Sequence, residues 1–402
     1  MKRITTGLLI AALGMSVFAG CSGGGGQAAQ PAPANSGSAP AAPGTIKIGV
    51  NYELSGGVAT YGQDSVKGVE MAVDEINAAG GIKGSKIELV KYDTKSEPAE
   101  ATTLATKLMT QDKVVAIIGP ATSGSFGATI PVANANKVPV VSGSATADTV
   151  TVDKSGAVQP YAFRVCFSDS FQGTAMATYA AKTLNAKSAV IIKDNSSDYG
   201  KGLAANFQKT FEAGGGTIVD QQSYVQGDKD FNAILTKIKG EQFDVIYLPG
   251  YYQEAGLIIK AARDLGINAP VLGADGFDSP DLLSLGGAKA LNNVFFTNHY
   301  SSLDKDPKVV KFIADYKAKN GKDPNAFNAM GYDAAKFVAD AITRAASVDG
   351  PAIQQAMAST KDFPAVTGTF SVDANHNAIK DIVVVGLKDG VQTTSERVSA
   401  SA

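Results

Sequence analysis

Short β-branched runs alternate with helical patterns along this chain, twice in succession, and that alternation leaves few folds open. The stretches 46–52, 85–93, 114–119 and 138–142 are compact apolar runs of the kind buried in parallel sheets. After the first, Val66, Val69, Val73 and Ile76 recur at helical spacing, with Gly80 and Gly81 just past the end as a stop. Ala101, Leu104, Ala105 and Leu108 mark a second helical face. The order βαβαβαβ calls for a parallel sheet with right-handed crossovers. The pattern then restarts, with strands at 189–193, 217–224, 245–248 and 270–273 and helices at about 170–184, 201–213, 231–239 and 254–265. A strand near 294–297, a helix-rich stretch over 306–358 and short strands at 368–372 and 382–387 complete it. The expected class is α/β, two doubly wound parallel-sheet lobes. Ligands of such sheets bind outside the carboxyl ends of the strands, so facing lobes would share one cleft.

The beginning of the sequence sets the compartment. Lys2 and Arg3 precede an apolar stretch over 8–18 that is too short to span a bilayer. It ends in Val17-Phe18-Ala19-Gly20-Cys21, which resembles the bacterial lipobox, with Phe18 where leucine is usual. Residues 1–20 are therefore expected to be a signal peptide and Cys21 the lipidated residue of the mature chain. Residues 22–44 are mostly Gly, Ala, Pro and Ser with no charge, a composition that cannot bury enough surface to order itself. As a flexible coil this linker spans roughly 25–30 Å. The body is expected outside the cytoplasm, in the periplasm or at the cell surface, held to the membrane by its lipid.

Composition excludes several functions. About 360 residues remain after the leader and linker, enough for two domains. The net charge is −2, with 36 basic and 38 acidic residues interspersed, which argues against nucleic acid as a partner. Arginine is confined to Arg3, Arg164, Arg263, Arg344 and Arg397, so clustered guanidinium recognition of phosphate or dicarboxylate is not expected. Cys166 is the only cysteine in the body and reads as a small buried hydrophobe, with no disulfide partner. His299 and His376 are the only histidines, and neither metal-ligand spacing, a G-x-S-x-G elbow nor a Walker loop occurs. No catalytic residue, metal or cofactor is expected. Gly200-Lys201-Gly202-Leu203-Ala204-Ala205, with Asp220 downstream, imitates a dinucleotide fingerprint, but residues 194–199 separate the strand from the first glycine and remove the tight turn.

The loops after the strands carry the polar chemistry. Pro120-Ala121-Thr122-Ser123-Gly124-Ser125 follows one strand and Gly143-Ser144-Ala145-Thr146-Ala147-Asp148 the next. Both offer hydroxyls and free N–H groups at a helix start, a neutral cradle for a carboxylate. Helix capping explains the same residues as well. In the second lobe, Ala274-Asp275-Gly276-Phe277 places an acid beside an aromatic ring, fit to hold an ammonium group or to form an Asx-turn. Tyr61, Tyr199 and Tyr251 also fall in loops, as pocket walls or surface cover.

At these loops the chain resembles the periplasmic leucine/isoleucine/valine-binding proteins of ABC importers. The likeness spans about residues 46–387. It is carried by Ser55-Gly56 through Tyr61-Gly62, by Asn77-Ala78-Ala79-Gly80-Gly81-Ile82-Lys83-Gly84, and by Lys91-Tyr92-Asp93. Asp198-Tyr199-Gly200-Lys201-Gly202 and Met330-Gly331-Tyr332-Asp333-Ala334 carry it too. The resemblance implies a type I periplasmic-binding fold with three crossovers, placed near Arg164, Thr297 and Asp381. Lobe 1 would then be 45–164 with 298–381, and lobe 2 165–297 with 382–402. It implies an amino-acid ligand, branched-chain or otherwise apolar, whose carboxylate and amino groups meet Ser123, Ser144, Ala145 and Thr146. Tyr61, Thr122, Tyr199, Tyr251 and Phe277 would surround its side chain. Asp275 stands at the family's glutamate, one methylene shorter, and a disulfide of some members has its positions here at Ser96 and Thr122, so that link is absent. Membrane permease subunits are the implied partners, and the chain is expected to act as a monomer. An amide, urea or aromatic-acid ligand in the same fold, or a sensory role, are the alternatives.

Overall fold

The computed structural model describes residues 44–399. The expected signal peptide, Cys21 and all but the last residue of the linker lie outside the described residues. The chain begins with β1 (Thr45–Tyr52), α1 (Ala59–Ala78), β2 (Lys86–Asp93), α2 (Pro98–Thr110), β3 (Ala116–Ile118), α3 (Ser123–Asn136), β4 (Val140–Ser142) and β5 (Ala162–Arg164). These strands form one parallel sheet in the order β2-β1-β3-β4-β5. There follow α4 (Asp169–Lys182), β6 (Ser188–Asp194), α5 (Asp198–Ala213), β7 (Thr217–Tyr224), α6 (Asn232–Lys239) and β8 (Val245–Tyr247). Next come α7 (Tyr252–Asp264), β9 (Val271–Gly273), α8 (Pro280–Gly286) and β10 (Val294–Asn298). The order β7-β6-β8-β9-β10 repeats the first sheet's winding. Each sheet reverses direction beside its first strand, and such a switch point opens a crevice at the carboxyl ends of the strands.

The helices α9 (Pro307–Asn320), α10 (Ala326–Arg344) and α11 (Gly350–Ala358) and the small hairpin of β11 (Ser371–Val372) with β12 (Ala378–Ile379) follow β10. Here α10 packs against α1 and against the strands of the first sheet. Glycines permit this: a Cβ on Gly68 would lie 1.9 Å from the Asn328 carbonyl oxygen, and one on Gly331 would lie 2.1 Å from that of Ser65. The chain then enters the second sheet again as β13 (Ile382–Lys388) and β14 (Val391–Val398). Both run antiparallel, β13 against β10 and β14 against β13. The chain therefore passes between the sheets after β5, after β10 and after β12.

The expected strands and helices occur within a few residues of their sequence positions, and β5, α8, β12 and β14 add to them. The reason β14 escapes the hydrophobic pattern is its exposure: Val-Gln-Thr-Thr-Ser-Glu-Arg-Val lies at a sheet edge with mostly exposed side chains. Its turn at Asp389 and Gly390, both at positive φ, is the dipeptide signal of a tight hairpin. At α5 the structure sharpens the argument against dinucleotide binding. The helix starts at Asp198, capped by the Ser197 hydroxyl, so Gly200 lies inside its first turn rather than in a phosphate-binding bend.

Candidate ligand-binding site

Equivalent loops of the two sheets converge on one place. The first sheet sends the loops after β1, β3 and β4, and the second those after β6, β8 and β9. In the first lobe the loop hydroxyls do not cap helices. Thr122 precedes α3 without a side-chain cap bond. Its hydroxyl donates to Glu53 Oε1 at 2.8 Å, and the N–H groups of Ala121 and Thr122 donate to the same buried carboxylate at 2.9 and 3.1 Å. Ser123 Oγ accepts from the Ala147 N–H at 3.0 Å, and Ser144 Oγ donates to the Ala121 carbonyl at 2.9 Å. Buried Arg164 fastens the second loop, its Nη1 donating to the carbonyls of Thr146 and Ala147 at 2.6 and 3.0 Å. These bonds stitch two adjacent loops into one rigid rim and leave the first-turn N–H groups of α3 without a side-chain acceptor. Ser96 and Thr122 are each hydrogen-bonded within the first lobe, the Ser96 hydroxyl donating to the Ser55 carbonyl at 2.7 Å and that of Thr122 to Glu53.

Across the cleft, Asp275 is buried and its carboxylate makes no Asx-turn. Oδ1 accepts from the Tyr199 hydroxyl at 2.8 Å and from Gln172 Nε2 at 3.1 Å, and Oδ2 lies 3.2 Å from His299 Nε2. Burial pulls the His299 pKa down to about 4, so its ring is a neutral donor at physiological pH. Among the described residues, then, no cation contacts Asp275, and three neutral groups orient it.

Aromatic rings close the gap between rim and acid. Tyr61 of α1 stacks on Phe327 of α10 with centroids 4.2 Å apart, and meets Tyr251 and Tyr252 edge-on at 5.7 and 5.1 Å. Its hydroxyl donates to the Gly276 carbonyl of the opposite lobe. Tyr199 and Tyr251 stack at 5.1 Å. Burial holds both phenols well above their ordinary pKa, so they stay neutral donors. The space these residues line is small, about 220 Å³ between atoms.

A family model described as periplasmic binding protein matches residues 45–392. The chain belongs to the periplasmic binding protein family. The Leu/Ile/Val-binding protein BraC3 of Rhizobium johnstonii is 36% identical over 334 residues, covering 82% of this chain and 88% of that protein. The structure of the branched-chain amino acid transporter substrate-binding protein LivJ from Streptococcus pneumoniae, in complex with isoleucine, has a TM-score of 0.83 at 43% identity. It covers 88% of this chain and 99% of that one. The leucine-binding protein LivK of Thermotoga maritima matches at 37% identity and a TM-score of 0.82, with coverage of 88% and 99%.

In this periplasmic binding protein, Tyr61, Thr122, Ser123 and Ser144 line the cavity from the first lobe, and Tyr199, Tyr251 and Asp275 from the second. Ala145, Thr146 and Phe277 do not line it. Ala145 and Thr146 are fully buried behind the rim, where the Ala145 N–H donates to Ser142 Oγ at 2.9 Å. Phe277 is turned away by the tight turn over Asp275–Phe277. Its ring fills the space a side chain at Gly273 would need and faces Phe296 at 5.9 Å. Sequence reasoning missed Ala121, Gly276 and Phe327 in the wall, and Glu53, Gln172 and His299 behind it. Only Phe327 left a signal, an aromatic ring just inside a helix start. Cys166 matches its reading, a buried thiol that donates to the Ala145 carbonyl at 3.4 Å and is pushed up to about 12 by burial. Among the described residues no group of His, Cys, Asp and Glu could hold a metal ion, and no helix is long and apolar enough to cross a membrane.

Proposed function

We propose that this chain is the extracytoplasmic substrate-binding component of an ABC importer and takes a branched-chain or other apolar amino acid. One observation carries the reading: a buried carboxylate served only by neutral donors faces a rim of hydroxyls and uncapped helix N–H groups across a narrow aromatic cavity. Such a site complements an α-ammonium on one side and an α-carboxylate on the other. The named relatives, binders of leucine, isoleucine and valine, support the same class. Ser123, Ser144 and the start of α3 would hold the carboxylate, Asp275 the ammonium, and Tyr61, Thr122, Tyr199, Tyr251 and Phe327 the side chain.

The lobes would be 45–164 with 298–381 and 165–297 with 382–402, hinged at the three crossings, so that a ligand touching both favours the closed form. Binding and release, with no bond made or broken, complete the cycle, and permease subunits receive the ligand. Cys21 would carry the lipid that keeps the protein beside them, as the mass of the mature N-terminal residue would report.

Calorimetry against a panel of amino acids, amides and aromatic acids tests the reading. An apolar amino acid should bind best, and Asp275→Ala should weaken it by about 2–5 kcal/mol. Equal affinity of the variant, or preference for a ligand without an amino group, would remove the ammonium assignment.

A further inference from the structure

Asp275 is not the only carboxyl group buried at this end of the second sheet. Asp169, the first residue of α4, is fully buried. Its Oδ1 lies 3.3 Å from Gln172 Nε2, the atom that also donates to Asp275 Oδ1 at 3.1 Å. One amide nitrogen therefore bridges two carboxyl groups. The amide cannot turn over, because its oxygen accepts from the Asp275 N–H at 3.3 Å and from the Thr297 hydroxyl at 2.6 Å. Asp169 Oδ2 is buried, and the hydrogen-bonding group that faces it is the buried Thr146 hydroxyl, which favours the ionised form and is outweighed by burial.

The charges around the pair do not neutralise it. Asp148 adds a further acid on the Asp169 side, and Arg164, the one base facing Asp169, spends its N–H groups on loop carbonyls and on Asn377. His299, against Asp275, is neutral, and Lys380 stands beyond it. Tyr199, Tyr247 and Tyr251 cover the remaining sides as neutral phenols, with the Cys166 thiol behind. A second acid one bridging amide away, in a dry site, disfavours ionisation of Asp169. Burial first, and then the charge of Asp275, hold the Asp169 carboxyl well above the usual range.

We infer that Asp169, bridged to Asp275 by Gln172, holds a proton in the ligand-free site, and that an ammonium-bearing ligand at Asp275 takes the proton's place. Asp169 is thereby a specificity-determining residue that acts through its partner. An ammonium compensates both carboxylates, and the displaced proton leaves to solvent, so charge balances. A neutral amide cannot displace the proton, and an aromatic acid brings another anion to a buried acidic pair. The inference rests on the amino-acid reading and adds a proton to it.

Titration calorimetry of the mature protein with isoleucine, in buffers of different ionisation enthalpy, counts the protons. Wild type should release about one per ligand, and its Kd should fall about tenfold for each unit of rising pH while Asp169 is protonated in the free site. Asp169→Asn should bind with no proton release and a flat pH profile. Infrared difference spectra of wild type, which need no variant to fold, should show a protonated carboxyl band lost on adding isoleucine. Binding with no proton released and no band lost would overturn the displaced proton and leave the amino-acid reading standing. No heat from any amino acid at any pH would overturn both.

Discussion

At Asp275 one carboxylate is set by partners from three separate stretches of chain: Gln172 on α4, Tyr199 on α5 and His299 after β10. The acid, the tyrosine and the hydroxyl loops could be picked out in the sequence because their residue types carry binding chemistry at strand ends. Gln172 and His299 could not, since nothing local distinguishes a buried glutamine or a lone histidine until the fold brings it to an acid. His299 gives a measurable consequence. Its imidazole is neutral when folded, with a pKa near 4, whereas the unfolded chain takes up a proton near the ordinary 6.5. The unfolded state therefore binds more protons in that window, and stability is lost as pH falls from about 6.5 toward 4. By pH 5 the loss from this residue should reach about 2 kcal/mol. His299→Gln keeps a donor for Asp275 and should remove that share of the acid loss in urea unfolding at pH 7 and pH 5. His376, also depressed by burial, leaves a remainder. An identical acid limb in the variant would contradict the assignment.

Among the elements, the buried parallel strands were legible because apolar β-branched runs admit little else, while β14 was not. Its polar residues carry no periodic signal, and only pairing with β13 across the Asp389-Gly390 turn makes it a strand. The α1–α10 contact is similar in kind. Each helix shows an amphipathic face, but their closeness depends on Gly68 and Gly331 meeting across it, residues far apart in sequence. Gly331→Ala should therefore destabilise the fold by about 1–3 kcal/mol, since a methyl group 2.1 Å from the Ser65 carbonyl oxygen forces the helices apart. Chemical denaturation measures this, and a change under about 0.5 kcal/mol, as at an open surface position, would contradict the packing argument. Because Tyr61 sits on α1 and Phe327 on α10, the same displacement would loosen the stack at the cavity wall.

Taken whole, the molecule is closed around its site. The bonds from Tyr61 to the Gly276 carbonyl and between Thr60 and Ser279 at 3.0 Å join one lobe to the other across the cavity. A ligand the size of an amino acid enters only when the lobes part. In solution scattering the ligand-free protein should therefore have the larger radius of gyration, which isoleucine should reduce. Tyr61→Phe removes a bond that exists only on closure and strands a buried carbonyl, so affinity should weaken by about 1–2 kcal/mol. An unchanged radius with isoleucine bound would exclude the hinge. The sequence by itself determined the two α/β windings, the strand ends at which polar loops gather and the acid that answers them. These rest on local pattern, since burial on both faces and turn chemistry act over a few residues. Tertiary structure alone decided that Phe277 turns away while Phe327 turns in, that Glu53 and Arg164 stiffen the rim, and that Asp169 comes within one amide of Asp275. Those outcomes depend on which distant side chain fills a given space first, and that is settled only when the two sheets close on each other.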